Sequence, residues 1–563
     1  MFGRGYWTPD EPRESDIAWR MSWQESKAVP LLAGEAFCEK PPLTYWLAAV
    51  PIEIFNSEAA WAARLPNLLY AMITALGVGL LARRAAGPFA GLVGTAAIGT
   101  FLLSYQVAIW LATDAPLLAT VSIALLGAYQ GFYAANSAER LRGYLLMHAA
   151  MGLGFLSKSA IAWMVPAMAI AALVVWEKRW REILRWELYL GLGLQAAMIF
   201  AWIWFVYVGP DGAAHLKVFF WNNLVGRFTR IDAPDELQYA AAHRNSPGKY
   251  LIELPLYLAP WTLLVIAALR RAWLERKASF DGRRAVRFAL AASLPPLAVL
   301  SVAATARNVY LAPALPGVAL LLGWWSREIS TAPDRWDLRA LRATSALLLL
   351  GAAAFIAALG LIADDAWNTM DSHAEFMVIS AAGLLVAAWL ALRAWAAARD
   401  HVPRALGSLL LAYSALLVGP ASQVYRQVDS WQNLSSIART MGHDAAGKPL
   451  ILFAPDETTR AVIDMYARTT VGLIRGPIDG SAIEILKSAA KASPQSLIVA
   501  QLPGPESRVT RRLARYFGKR QAISATAAEI PSEPVWVAAA GLRLAKIYSL
   551  PHGRRYALLE PAP

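Results

Sequence analysis

The stretch 60–87, AWAARLPNLLYAMITALGVGLLARRAAG, stays apolar long enough to cross a bilayer and then stops at Arg83-Arg84. A helix needs roughly 20 predominantly apolar residues to span the hydrocarbon core, and Lys and Arg gather in loops left on the cytoplasmic side. The stretch therefore predicts a span whose C-terminal end lies inside. Apolar segments recur at 89–108, 115–134, 144–156, 160–176, 188–208, 251–269, 288–304, 309–325, 341–363, 376–395 and 405–422. Alternate connections form a basic set: ARRAAG, NSAERLRG, EKRWREILRWE, RRAWLERKASFDGRRAVR, SREISTAPDRWDLRA and RAWAAARDHVPR. The expected fold is a polytopic α-helical membrane protein of about twelve spans with these loops inside.

Composition agrees. The 563 residues are 57% hydrophobic and 17% charged, with a mean hydropathy of +0.39, far from a soluble domain. The formal charge of +13 is what basic cytoplasmic loops produce, so it gives no reason to expect nucleic acid. Cys38 is the single cysteine, which excludes an intramolecular disulfide and a thiolate metal cluster. Residues 1–16, MFGRGYWTPDEPRESD, lack the apolar run of a signal peptide.

The complementary connections face outward and hold the distinctive polar sequence. Three regions are expected: a first outer, periplasmic loop with juxtamembrane helices at 1–59, the helical core at 60–422, and a C-terminal periplasmic α/β domain at 423–563. In the last, KPLILFA and QSLIVAQL read as buried strands, and DETTRAVIDMYAR, SAIEILKSAAKAS and SRVTRRLARYF as amphipathic helices.

Within the outer set, Asp10 and Glu11 precede Pro12, a good first-turn residue, so both carboxylates belong to a helix start, with ordinary capping as the plain alternative. Arg13 follows them. Glu39 and Lys40 abut Pro41-Pro42, which biases Lys40 away from the helical region and can open the short interfacial helix LTYWLAAVPIEIF. Asp114 starts a span, where an acid is either a cap or functional. Lys158 lies between two apolar segments, either snorkelling or available to a phosphate. The 209–250 loop adds Asn222, Arg227, Arg230, His243, Arg244 and Lys249 among aromatics, and Arg307 and Tyr310 stand at another outer helix start. Carboxylates beside a basic, aromatic-lined surface suit an amphiphile with a phosphate headgroup.

The segments DEPRESDIAWRM, EKPPLTYW, AARLP, TDAPLL, GLGFLSKSAIAWMVP, FFWNNLVGRFTR, HRNSPGKYL and PDETTRAVIDMYA, in this order, resemble the lipid-carrier-dependent glycosyltransferases of the protein O-mannosyltransferase and aminoarabinose transferase superfamily, which share the GT-C fold. The likeness covers nearly the whole chain and is closer to the bacterial lipid A aminoarabinose transferases than to the eukaryotic protein mannosyltransferases. It implies an inner-membrane protein whose catalytic face is periplasmic, with a polyprenyl (undecaprenyl) phosphate sugar as donor and a glycolipid such as lipid A, or a protein, as acceptor. No nucleotide cofactor is implied. By position, the resemblance makes Asp10 the central catalytic aspartate and Asp114 the second acidic residue, with Glu11 beside them. Lys40, Lys158, Arg13, Arg227 and Arg244 are the expected donor-phosphate contacts, and Glu39 with His243 a divalent metal site. Glu14, Cys38 and Lys158-Ser159-Ala160 depart from the family's usual residues and leave sugar and acceptor open. The family usually places a membrane helix ahead of the Asp-Glu loop, so an upstream apolar helix is expected in the natural protein.

A hydroxyl acceptor needs a carboxylate to take its proton, whereas an ionised phosphate needs none, so Asp10 or Asp114 acts as a base or as an orienting charge. A transporter or flippase is the competing class. It would place charges near the midplane on paired broken helices, not in outer loops.

Overall fold

The computed structural model describes residues 3–227, 248–276, 280–303, 307–367, 373–467, 469, 471–476, 480–502, 535–550 and 554–562. Every apolar segment picked out above lies, among the described residues, largely on helix. Among the described residues, eight helices are long and apolar enough to cross a membrane, or up to ten spans if each of two bent pairs counts as one. The expectation of about twelve also counted 144–156 and 160–176. The first lies in Ser137–Lys158, whose charged start and central His148 lower its hydropathy, and the second in the short helix Ile161–Glu177.

The bent pairs are Pro88–Thr100 with Leu102–Ile109, at 63°, and Lys249–Tyr257 with Thr262–Leu274, at 111°. Breaking a helix in an apolar setting strands backbone polar groups, which must find partners. Here the two breaks supply each other. Leu102 N donates to Ala259 O at 3.0 Å, and Trp261 Nε1 donates to Thr100 Oγ1 at 2.8 Å. Elsewhere the core packs backbone against backbone. A Cβ on Gly143 would stand 2.3 Å from Gly131 N, so only glycine allows helices Asp114–Phe132 and Ser137–Lys158 to approach this closely.

The C-terminal part is α/β. Its five strands lie in the order Val471–Ile474, Leu450–Phe453, Leu497–Leu502, Arg555–Pro561, Leu542–Ser549. The first three are parallel, with Leu450 opposite both Val471 and Leu497, and the last two are antiparallel. Helices Glu457–Tyr466 and Gly480–Ala492 occupy the predicted amphipathic segments, while SRVTRRLARYF lies outside the described residues.

This unit sits on the first polar segment. Tyr6, Ala18, Ile52 and Leu111 share one apolar cluster with Met441, Leu450, Met465 and Tyr556. Asp429 accepts from Gly5 N at 2.7 Å and from Trp7 Nε1 at 2.8 Å. Helix Asp10–Trp23 is thereby held between the membrane helices and the sheet unit.

Candidate active site

Helix Asp10–Trp23 begins with its two carboxylates, yet neither is a cap: the N-cap is Pro9, with no side-chain bond to the helix start. Asp10 turns instead to Arg307. Arg307 Nη1 donates to Asp10 Oδ1 at 3.2 Å, Nη2 donates to Oδ2, and Arg13 Nη2 stands 3.4 Å from Oδ1. Burial opposes ionisation of Asp10, but the hydrogen bond and charge of Arg307, with Arg13 and Lys40, outweigh it and hold the carboxyl below its ordinary value. The same contact raises the guanidinium of Arg307.

Asp114 likewise lies in a first turn without a capping bond, and it pairs with Lys158 at the last position of helix Ser137–Lys158. Ser159 follows with φ +62°, which turns the chain directly after the lysine. Lys158 Nζ also lies 4.8 Å from the centre of the Tyr310 ring. Arg307 lies within electrostatic reach of both Asp10 and Asp114, with Tyr310 beside it. The predicted residues Asp10, Arg13, Asp114 and Lys158 thus form one polar site, joined by Arg307 and Tyr310.

Lys40 lies beside this site, and its charge acts on Asp10. Its ammonium pairs with Glu14, whose other oxygen accepts from Tyr45 OH at 2.8 Å. Burial of Glu14 is outweighed by Lys40 and Arg13, so its carboxyl is held low. Arg13 is shared among Asp10, Glu14 and Glu457, the last at 2.7 Å. Both cations therefore already have carboxylate partners.

Glu11 is placed differently from the other expected catalytic residues. It is fully buried and accepts from Arg64 Nε at 2.9 Å, Arg4 Nη1 at 2.5 Å, Trp7 N at 2.9 Å and Leu111 N at 2.9 Å. Those donors fill its acceptor directions and tie the segment before the helix, the first long span and the turn before Asp114 into one joint. Its geometry is that of a scaffold, not of a group open to substrate.

The backbone of Arg227 ends the 3-10 turn Val225–Arg227. Its side chain, His243 and Arg244 lie outside the described residues. Glu39 lines a cleft on the sheet-unit side, and its carbonyl accepts from Asn223 Nδ2. Among the described residues no three His, Cys, Asp or Glu side chains gather as a metal-ligand set.

Glu14, Arg307 and Glu457 lie outside the expected catalytic and phosphate-binding set. Sequence marks Glu14 only as a departure from family usage. Its further signal is helical spacing, since it follows Asp10 by four positions on the helix that presents it. Arg307 reads as a charge at an outer helix start, and nothing in local sequence pairs it with Asp10.

Residues 39–204 match the family described as dolichyl-phosphate-mannose-protein mannosyltransferase. An undecaprenyl phosphate-alpha-4-amino-4-deoxy-L-arabinose arabinosyl transferase of Pseudomonas paraeruginosa is 29% identical over 406 residues, 70% of each chain. Its Pseudomonas aeruginosa counterpart is 29% identical over 324 residues, 57% of this chain. The alignment spans only 56% of that relative's own length. The crystal structure of ArnT from Cupriavidus metallidurans bound to undecaprenyl phosphate superposes with a TM-score of 0.70 at 17% identity, covering 99% of this chain and 94% of that one. The apo form gives 0.67 with the same coverage. Family match, relatives and fold agree: the chain is similar to the protein O-mannosyltransferase and aminoarabinose transferase glycosyltransferases in sequence, and it has the fold of ArnT.

Proposed function

We propose that the chain is a membrane glycosyltransferase that moves a sugar from a polyprenyl phosphate, undecaprenyl phosphate, to lipid A or a related glycolipid at the periplasmic face of the inner membrane. The observation that carries this reading is that two acid–base pairs, Asp10 with Arg307 and Asp114 with Lys158, are linked, since Asp114 acts on Arg307 and Lys158 lies against the Tyr310 ring. Rupture of the bond between the anomeric carbon and the phosphate oxygen leaves positive charge on the sugar and negative charge on the departing lipid phosphate. Asp10, ionised at neutral pH, faces the first charge, and Arg307 and Lys158 take the second. An acceptor phosphate brings its own negative oxygen as nucleophile. A hydroxyl acceptor instead passes its proton to Asp10. The names of the arabinosyl transferase relatives favour the lipid acceptor, and the description of the matched family favours a protein hydroxyl as the second reading.

Purified protein supplied with undecaprenyl phosphate carrying labelled aminoarabinose is expected to label lipid A and not a Ser/Thr-rich peptide. Label on the peptide alone moves the assignment to the second reading, and no transfer to either acceptor refutes both.

A further inference from the structure

A cleft of about 380 Å³ separates the first polar segment from the sheet unit, with Glu35, Phe37 and Glu39 on one side and Glu457, Arg460 and Arg475 on the other. Arg460 Nη2 and Arg475 Nη2 end on a single atom, Glu35 Oε2, the former at 2.6 Å. Two guanidinium groups aimed at one oxygen define an oxyanion position, and at present the chain's own carboxylate fills it.

That carboxylate is weakly anchored. Glu35 follows Ala33 and Gly34, with φ +48° and +86°, at the tip of a hairpin whose strands have two residues each, and its side chain is 49% exposed. Its pair with Arg475 is about half exposed on both sides and therefore weak, while Arg460 is largely buried and fixed in place. A phosphate monoester offers three acceptor oxygens and close to two charges to the same arginines. The cleft also leads to the chemistry: Glu457, on its wall, accepts from Arg13 Nη1 at 2.7 Å, and Arg13 Nη2 stands 3.4 Å from Asp10. Its lining includes the apolar Leu32 and Val218, and helix Leu43–Phe55 on the same segment exposes Val50, Ile54 and Phe55. A cationic, anion-accepting point on the same segment as exposed apolar surface suits a phosphate headgroup whose chains remain in the bilayer.

We propose that this cleft receives a phosphate monoester of the lipid-anchored acceptor, with Arg460 and Arg475 exchanging Glu35 for it. The proposal rests on the transfer reading above and assigns the acceptor its own site, apart from the donor-facing pair Asp114–Lys158.

Full-length protein in amphipol is titrated, without donor, with phosphatidylcholine vesicles carrying lipid A, or lipid A stripped of its phosphates, and bound protein is read by co-flotation. The expected result is retention by phosphorylated lipid A only. Arg475→Ala should weaken it about tenfold, the size of one charge-assisted contact, and Glu35→Gln should strengthen it several-fold by removing the competing charge. A merely structural Glu35 cannot give that gain. Equal retention by both vesicle types, an unchanged affinity in Arg475→Ala, or weaker binding in Glu35→Gln overturns the proposal. So does binding of inorganic phosphate with no retention on vesicles. Because no donor is present, phosphate-dependent retention without any transfer upholds the cleft while refuting the enzymatic reading. Transfer without phosphate-dependent retention does the reverse.

Discussion

Arg307 grips both carboxylate oxygens of Asp10 across almost three hundred positions of sequence. The pair gives Asp10 a fixed orientation and an ionised state, and it puts a guanidinium where a departing phosphate can draw on it. In the proposed reaction Asp10→Asn keeps the shape and removes the charge, so kcat is expected to fall about a thousandfold or more with little change in thermal midpoint. Because Asp10 is held below 3.8, its contribution persists above that value and is lost only as pH falls through the depressed folded pKa. A wild-type activity loss centred near pH 6 must then come from another group. Near-wild-type turnover of Asp10→Asn in a transfer assay removes it from the mechanism.

Lys158 answers to Asp114 and lies against the Tyr310 ring. As a phosphate contact it should affect donor recognition: Lys158→Ala is expected to raise the donor KM about tenfold, and Lys158→Arg to recover part of it. A donor KM unchanged in Lys158→Ala would confine this lysine to neutralising Asp114.

Glu11 carries a structural prediction. Replacing it with Ala strands Arg4 and Arg64, both buried, together with two backbone donors, and breaking such a buried pair costs roughly 3–5 kcal/mol. The variant should show a large loss of folded protein, read by size-exclusion yield and thermal midpoint. Stable Glu11→Ala protein lacking only turnover would instead return Glu11 to the catalytic group.

Much of this is legible in the sequence where the signal is local. Hydropathy locates the membrane helices, and the short apolar runs around Leu450 and Leu497 mark two parallel strands, because strands buried on both faces read as continuous apolar stretches. The strand Leu542–Ser549 escapes such a reading. A bulge between Leu544 and Lys546 interrupts the two-residue alternation of LRLAKIYS and leaves Ala545 and Lys546 both exposed, so neither an apolar run nor a clean alternation announces it.

The site divides in the same way. Asp114 and Lys158 stand out as charges at the ends of apolar segments, and Asp10 as an acid just before Pro12, but what each one touches is not legible. Arg307 with Asp10, and Arg13 with Glu457, are contacts between distant parts of the chain. Only the packing of the membrane helices and of the sheet unit around the first segment brings them together. Glu11 misleads for a related reason, since adjacent carboxylates at a helix start look alike until Arg4 and Arg64 are seen to enclose one of them.

The contact between Asp16 and Asp464 yields the last prediction. Asp16 is fully buried in helix Asp10–Trp23, and its Oδ2 accepts from Ala33 N at 2.6 Å. Arg20 serves both acids: its Nε stands 3.5 Å from Asp16 Oδ1, and its Nη2 pairs with Asp464 on the sheet-unit helix Glu457–Tyr466. Burial first, and the charge of Asp464 second, push the carboxyl of Asp16 well above 3.8, more than Arg20 can offset. The folded protein therefore holds a proton here that the unfolded chain releases. For a group raised in this direction, the stabilisation is fully present below the unfolded value and is lost as pH rises through the folded one. The seating of the sheet unit on the first segment should accordingly weaken from mildly acid to neutral pH. Asp16→Asn keeps an acceptor for Ala33 N and cannot ionise, so it should raise the thermal midpoint at about pH 7.5 by a few degrees, with the gain shrinking towards about pH 5. Proteolysis between the two units, followed over the same pH range, should slow in the variant at the neutral end. A variant no more stable than wild type at neutral pH, or a gain that is the same at both ends of the range, would show that the folded protein does not hold the Asp16 carboxyl above its unfolded value.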